Sequence, residues 1–170
     1  MILGAVLAGG ASRRFGSDKA LALVDGRALI DHVIADLEPQ CDALVIVGRR
    51  HGNWTSLPDL PAGGAGPLAA LNAALHHAAA NGYAAVLSVP CDTLGLPQDL
   101  AALLSPGPAM IVDQPVIGLW PATLAPTLDA WLARGERSVH GFAVAVEAKA
   151  IATTPPIANI NTPNDLARLD

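Results

Sequence analysis

The sequence has few cysteines, few aromatic residues and little charge, and these shortages exclude several classes of protein. Its two cysteines, Cys41 and Cys91, form neither a CxxC pair nor a zinc-binding pattern. A disulfide scaffold needs more of them, so we expect a reducing, cytoplasmic setting. Aromatic residues make up 4% of the chain and charged residues 15%, with a formal net charge of −5. A protein that binds nucleic acid usually carries a basic patch, so nucleic acid is not an expected partner.

Long hydrophobic runs are also missing, because charges, glycines or prolines interrupt every apolar stretch. A membrane span needs about 18 or more consecutive apolar residues, so we expect no membrane association. Residues 1–7 have no basic region before them and run directly into a glycine-rich loop, which predicts a strand and not a signal peptide. What the chain does have is 170 residues, 52% of them hydrophobic. That length and composition predict a single domain over residues 1–170 with a sizeable core.

Short apolar runs alternate with amphipathic segments along the chain. The apolar runs predict strands at 2–8, 43–48, 84–90, 109–113, 116–120 and 143–147. Helical spacing of apolar residues predicts helices at 28–38, 67–81, 97–104 and 122–134, with a further helix capped by Thr162. This alternation is typical of a three-layer α/β fold, with a mostly parallel sheet and helices on both faces. Ligands of such sheets bind beyond the carboxyl ends of the strands, so the loops after residues 8, 48 and 90 are the candidate sites.

The loop after the first predicted strand combines glycines with positive charge. It reads Leu-Ala-Gly-Gly-Ala-Ser-Arg-Arg-Phe-Gly-Ser-Asp-Lys over residues 7–19. Glycines let a backbone approach a ligand closely, and the cations Arg13, Arg14 and Lys19 suit phosphate oxygens. The spacing fits neither a Walker A loop nor a GxGxxG loop. The pattern favours a triphosphate site, and the alternative is a surface loop with solvated charges.

A second candidate follows the third predicted strand, where the sequence reads Val-Pro-Cys-Asp-Thr over 89–93. A carboxylate at this place, next to a triphosphate, can hold Mg²⁺ together with phosphate oxygens and water. Asp92 is therefore the candidate metal ligand, and its alternative role is that of a turn or capping residue. No residue next to Cys91 in the sequence is of a kind that lowers the pKa of a thiol. We therefore interpret Cys91 as a small buried residue and not a nucleophile.

These segments together resemble the molybdenum cofactor guanylyltransferases. The resemblance is carried by the 7–19 loop, the Pro-Cys-Asp-Thr turn, Gly-Pro-Leu at 66–68 and Asn-Ile-Asn-Thr-Pro at 159–163. Cytidylyltransferase relatives typically have Ala where this chain has Gly9. The resemblance implies a Rossmann-like nucleotidyltransferase sheet. It also implies transfer of GMP from GTP to the terminal phosphate of molybdenum-bound molybdopterin, with Mg²⁺ as cofactor.

The family motifs imply a role for each matching residue. The implied catalytic residues are Arg14, Lys19 and Asp92, with Asp92 also binding the metal. The implied nucleotide- and cofactor-binding residues are Leu7, Ala8, Gly9, Gly10, Lys19, Asp59, Asp92, Asn159 and Asn161. In that set Asp59 recognises guanine and the two asparagines face the pterin. The alternatives are a solvated loop residue for Asp59 and a helix-start residue for Asn161. The nucleotide half is expected at about 1–100 and the acceptor half at about 101–170.

The chain also departs from the family. An asparagine that contacts the nucleotide is replaced by Val47 or Gly48, and a frequent His-Pro pair is replaced by Gln114-Pro115. Arg137 is a candidate for the pterin phosphate.

Two other functions remain open from the sequence: transfer using CTP or a sugar-phosphate acceptor, and a non-catalytic GTP-binding regulator. Protein partners that deliver molybdopterin or receive the product are a further expectation of the resemblance.

Overall fold

The computed structural model describes residues 1–10, 18–160, 162 and 164–165. Its strands are β1 Ile2–Leu7, β2 Leu23–Val24, β3 Arg27–Ala28, β4 Ala43–Val47, β5 Thr55–Leu57, β6 Ala85–Pro90, β7 Thr93–Leu94, β8 Ala109–Ile111, β9 Gln114–Pro121, β10 Lys149–Ile151 and β11 Ala158–Asn159. Its α-helices are α1 Leu29–Leu37, α2 Pro67–Ala80, α3 Leu100–Leu104, α4 Ala125–Ala133 and α5 Val139–Ala145.

Among the described residues the main sheet has seven strands in the order β10-β8-β9-β6-β1-β4-β5. The pairs β1–β4, β1–β6, β4–β5 and β8–β10 are parallel, and only β9 runs against its neighbours. Leu7 lies opposite both Val47 and Pro90. The loops after β1, β4 and β6 therefore leave the sheet at the same edge, as the parallel pattern predicted.

The sheet is covered on both faces because its central strands are apolar on both sides. One core contains Leu68 of α2, Trp120 of β9 and Phe142 of α5. The other contains Ile30 of α1 and Leu100 of α3. The three-layer α/β fold predicted from the sequence is therefore confirmed.

Local patterns explain the best predicted helix. In α1 the apolar residues recur at helical spacing, and all of Leu29, Ile30, Val33, Ile34 and Leu37 are buried. Burial of one such stripe is what stabilises a helix of nine residues, because intrinsic propensity alone is insufficient at that length. The predicted bounds 28–38 differ from the observed ones by one residue at each end.

Three predictions of local structure are wrong. The segment 143–147 does not form a strand, because Ser138 accepts a hydrogen bond from the Gly141 N–H and starts α5 there. The loop predicted over 49–66 contains the edge strand β5, which pairs with β4. The short helix predicted at 97–104 begins only at Leu100.

The helix start expected near the C-terminal end is confirmed at Thr162. The Thr162 N–H donates to Asp165 Oδ2 at 2.8 Å, and the Asp165 N–H donates to Thr162 Oγ1 at 3.3 Å. Such a reciprocal pair satisfies two backbone donors that a helix N-terminus leaves free. Within the part of the chain that the structure describes, no helix is long and apolar enough to cross a membrane.

Candidate active site

A cleft of about 330 Å³ lies at the edge where β1, β4 and β6 end. Its walls include residues 7–10 at the start of the glycine loop, together with Lys19, Arg49, Asp92 and Asn159. A wider hollow of about 890 Å³, formed by the segment from Gly48 to Gly63, shares Arg49 with the cleft and contains Asp59. Volumes of this size are typical of small-molecule sites. The structure thus brings together most of the residues that the sequence singled out.

The glycine loop leaves β1 in close contact with its neighbours. The Ala8 N–H donates to the Val47 carbonyl at 2.8 Å, and the Leu7 carbonyl accepts from the Cys91 N–H at 3.1 Å. These bonds continue the pairing of the sheet one residue past the strands. Leu7, Ala8, Gly9 and Gly10 all line the cleft.

Gly9 and Gly48 touch backbone to backbone. A Cβ added to Gly48 would lie 2.4 Å from the Gly9 Cα, and Gly48 has a φ of +90°. Both facts require glycine at position 48, because a side chain would collide with main-chain atoms and adopt a strained conformation. The loop after β4 therefore contributes backbone, and not a side chain, at this point.

Asp59 lies on the other side of Gly9. A Cβ added to Gly9 would stand 3.3 Å from both carboxylate oxygens of Asp59, so the absence of a side chain at Gly9 makes room for that carboxylate. Asp59 Oδ1 is buried and no hydrogen-bond donor among the described residues reaches it. Burial raises the pKa of Asp59 above its ordinary value, because removing water penalises the charged form. A buried acceptor without a donor is the arrangement expected of a ligand contact.

Lys19 and Asp92 form an ion pair inside the cleft, with Lys19 Nζ bonded to Asp92 Oδ2. Lys19 begins a short 3₁₀ turn, and Asp92 is the second residue after β6. Both side chains are largely buried, at 17% and 16% exposure. The sequence predicted that these two residues belong to one site although 73 positions separate them, and the structure places them in contact.

Arg49 is a site residue that the sequence analysis missed. Its guanidinium donates to both oxygens of Asp18, from Nη1 to Oδ1 and from Nη2 to Oδ2, at 2.7 Å each. Asp18 Oδ1 in turn accepts from the Ala20 N–H at 3.2 Å and caps the turn that carries Lys19. The Arg49 hydrogen bonds lower the pKa of Asp18. The signal was available, because Arg49 comes directly after a strand whose loop was already a candidate.

Cys91 lies beside these charged groups and is a poor nucleophile. Burial, and to a smaller extent the neighbouring Asp92, raise the pKa of the Cys91 thiol to about 12. A thiol with that pKa is protonated at neutral pH, and the thiolate is the reactive form. This supports the interpretation of Cys91 as a residue that is not a nucleophile, although Cys91 is partly and not fully buried. Both cysteines are free of disulfide bonds.

Three candidates of the sequence analysis, Arg13, Arg14 and Asn161, lie outside the described residues. Within the described residues, no group of three or more His, Cys, Asp or Glu side chains is placed to hold a metal ion.

Comparison with known proteins agrees with this geometry. A family model described as "MobA-like NTP transferase domain" matches residues 4–148. The molybdenum cofactor guanylyltransferase of Rhodobacter capsulatus is 39% identical, over 99% of this chain and 95% of its own length. The enzyme of the same name from Acidiphilium cryptum is 38% identical, over 95% and 90%.

The chain belongs to the molybdenum cofactor guanylyltransferase family. It is therefore a nucleotidyltransferase, and its reaction is the transfer of GMP in the synthesis of molybdopterin guanine dinucleotide. The fold agrees as well. The molybdopterin-guanine dinucleotide biosynthesis protein A of Archaeoglobus fulgidus superimposes with a TM-score of 0.73 at 21% identity, covering 99% of this chain and 96% of that one.

The departure from the family pattern after β4 now has a structural reason. Of the two positions that match the family asparagine, Val47 is fully buried in β4, and the contact of Gly48 with Gly9 leaves no space for a side chain. The next residue, Arg49, occupies the wall of the cleft instead.

One wall of the cleft is built by β11 and the start of β9, which contribute Asn159 and Val116. Asn159 pairs with Thr93 across an antiparallel ladder, and the Ile160 N–H donates to the Asp92 carbonyl at 2.9 Å. Asn159 Oδ1 is buried without a hydrogen-bond partner among the described residues. Gln114, which replaces the family histidine, donates to the Ile157 carbonyl at 2.6 Å. Gln114 thus anchors the segment that carries Asn159.

Arg137, the weaker candidate for the pterin phosphate, is engaged elsewhere. Its Nη1 donates to the Leu132 carbonyl at 3.0 Å and to the Glu136 carbonyl at 2.9 Å. The first bond satisfies the carbonyl of a residue near the end of α4. Basic side chains commonly take this structural role.

Proposed function

We propose that the cleft holds the triphosphate of GTP, and that the terminal phosphate of molybdenum-bound molybdopterin attacks its α-phosphorus. The new bond joins the acceptor phosphate oxygen to the α-phosphorus, and the bond to the β-phosphate oxygen breaks. Pyrophosphate leaves with the electron pair of that bond. The observation that carries this assignment is the Lys19–Asp92 ion pair, which lies beside the glycine loop at the carboxyl ends of β1 and β6.

No protein base is needed, because a phosphate monoester is already ionised at neutral pH. Catalysis then depends on alignment of the two phosphates and on neutralisation of charge. Lys19 and Arg14 supply positive charge to the phosphates. Lys19 exchanges its contact with Asp92 for phosphate oxygens when the nucleotide binds.

Asp92 fits a magnesium site of the kind that a nucleotide completes. Mg²⁺ commonly takes one or two carboxylates and fills its other positions with phosphate oxygens and water. Asp92 offers one such carboxylate in the wall of the cleft. Bound there, the ion would neutralise charge on the phosphates.

Asp59 recognises the guanine base. A carboxylate can accept from both the N1–H and the exocyclic amine of guanine, and cytosine does not offer that pair of donors. The raised pKa of Asp59 and its unpartnered oxygen support this assignment, since donors from the base would favour the charged form. Leu7, Ala8, Gly9 and Gly10 line the nucleotide path between Asp59 and the ion pair.

The pterin lies toward Asn159 and Asn161, so the nucleotide half is about residues 1–100 and the acceptor half about residues 101–170. The buried, unpartnered Asn159 oxygen supports a ligand contact on that side. Proteins that deliver molybdopterin or receive the product would approach there, and the reaction takes place in the cytoplasm.

A thermal-shift experiment tests the nucleotide assignment. A ligand that binds only the native state raises the melting temperature. We expect GTP with Mg²⁺ to raise it more than CTP, ATP or UTP does. Lys19→Met should reduce the shift from every nucleotide, whereas Arg27→Met, an exposed charge change in β3, should not. A CTP-selective shift, or no shift with any nucleotide, would contradict the proposal.

A further inference from the structure

A buried amide on α2 stands behind the loop that carries Asp59. Asn72 is 1% exposed and lies between apolar residues of α2 that face the core. An amide in such a place is unfavourable unless its hydrogen bonds are made. Its partners therefore show what the residue does.

Both hydrogens of the Asn72 amide are used, whereas its buried Oδ1 has no partner among the described residues. Nδ2 donates to the Leu60 carbonyl at 3.1 Å and to Asp129 Oδ1 at 2.8 Å. An amide nitrogen has two hydrogens, so this pair of acceptors fixes the orientation of the group. Asp129 of α4 also accepts from His76 Nε2, at 2.9 Å to Oδ2, and the bond from Asn72 is the largest cause of the lowered pKa of Asp129.

These contacts hold the backbone next to Asp59. The Leu60 N–H donates to the Ala69 carbonyl at 3.1 Å, and the Leu60 carbonyl accepts from Asn72. The peptide groups on both sides of Leu60 are thus tied to α2. Asp59 Oδ1 has no donor of its own among the described residues, so the position of that carboxylate depends on this anchored backbone.

We infer that Asn72 is a positioning residue that sets the guanine selectivity of the nucleotide site, by tying the Asp59 loop to α2 and, through Asp129, to α4. The inference rests on the proposed role of Asp59. Two hydrogen bonds to one base require a carboxylate at a fixed distance and angle. A shift of the loop weakens the bond to the exocyclic amine, which is the donor that distinguishes guanine from hypoxanthine.

The test compares kcat/KM for GTP with kcat/KM for inosine triphosphate, which lacks only that exocyclic amine. In Asn72→Leu, a side chain of similar size without donors, we expect the GTP-to-ITP ratio to fall roughly tenfold, the effect of weakening one charged hydrogen bond. Turnover of ITP should remain close to that of the unmodified enzyme. A general loss of stability would lower both activities together and leave the ratio unchanged, and that result would overturn the inference.

Matched variants complete the design. His77→Leu, on the same helix but outside this hydrogen-bond chain, should keep the ratio, and so should Asp129→Asn, which retains the accepting oxygen. If Asn72→Leu does not fold, Asp129→Ala takes its place, because Asp129 is exposed and its removal leaves the Asn72 amide without one of its two acceptors. An unchanged GTP-to-ITP ratio in Asp129→Ala also overturns the inference. Asp59→Asn distinguishes failure of the role of Asp59 from failure of the role of Asn72. If Asp59→Asn leaves the GTP-to-ITP ratio unchanged, the proposed role of Asp59 fails. If Asp59→Asn removes the preference for GTP over ITP while Asn72→Leu leaves it unchanged, only the role of Asn72 fails.

Discussion

Arg49 and Asp18 face each other as a two-point ion pair, with Nη1 and Nη2 of the guanidinium each bonded to one carboxylate oxygen at 2.7 Å. The pair links the loop after β4 to the turn that carries Lys19. The Arg49 backbone is itself held, because its carbonyl accepts from the Ser56 hydroxyl at 2.6 Å. Lys19, the cation proposed to contact the phosphates, is therefore positioned by the loop after β4 as well as by its own turn.

Removal of this pair should impair the reaction. We expect Arg49→Met to lower kcat/KM for GTP about tenfold, equivalent to about 1.4 kcal/mol. Arg49→Lys should give an intermediate value, because lysine keeps the charge and loses the two-point geometry. Steady-state kinetics of these variants and of Asp18→Ala measure the effect. If Arg49 acts through Asp18, the double variant is no worse than the Asp18→Ala variant, and full additivity would contradict this.

Gly9→Ala should weaken the binding of GTP. The added Cβ would lie 3.3 Å from both Asp59 oxygens and from the Gly48 Cα, a crowded distance on both sides. The carboxylate must then move, so we expect a higher KM for GTP and a smaller preference for GTP over CTP. Titration of both nucleotides by thermal shift provides the measurement. An unchanged preference would show that the small residue at this position does not serve Asp59.

Asp92→Ala should abolish Mg²⁺-dependent turnover, because the substitution removes the carboxylate proposed for the metal and the partner of Lys19. A pyrophosphate-release assay across a Mg²⁺ titration checks this. Asp99→Ala is the matched control, since Asp99 is exposed at the start of α3 and its side chain makes no capping hydrogen bond. Turnover by Asp92→Ala at the rate of the unmodified enzyme would refute the metal assignment.

Asp59→Asn should raise the stability of the ligand-free protein at neutral pH while it removes guanine selectivity. Burial raises the folded-state pKa of Asp59 above 3.8, so the folded protein holds its proton more tightly than the unfolded chain does. Above the raised pKa the charged carboxylate therefore destabilises the fold, and below about 3.8 that penalty is absent. The difference in melting temperature between the variant and the unmodified protein should shrink as the pH falls through this window. A variant less stable than the parent at pH 7 would contradict the prediction.

The elements that the sequence predicted well are those with a clear apolar stripe or run. Apolar side chains dominate β1, β4 and β6 and form one stripe along α1. Burial of these side chains requires a sheet that is covered by helices. The prediction of a strand at 143–147 is wrong. Small and larger apolar residues alternate at Ala143, Val144 and Ala145, and such alternation is typical of strands. The Ser138 cap, which decides for a helix, lies outside that window.

The site was predicted less completely than the fold. Lys19 and Asp92 could be placed together because parallel strands bring the ends of β1 and β6 to one edge. Asn72 could not be found, because nothing in an apolar helix indicates which loop passes over its single buried amide. Arg49 could have been found from its place after β4, but its partner Asp18 could not, because that pairing depends on a side-chain path and not on strand order.

The reversed strand β9 has a consequence for how the molecule can vary. It pairs antiparallel with both β6 and β8, so two reversals restore the original direction and β8 again ends at the edge that holds the cleft. The turn at Val112 and Asp113 joins β8 to β9 at that edge, next to Gln114. Lengthening or shortening this one turn would remodel the proposed acceptor side while every strand that supports the proposed nucleotide site keeps its register. Under the proposed assignment, the choice of acceptor can therefore evolve separately from the choice of nucleotide.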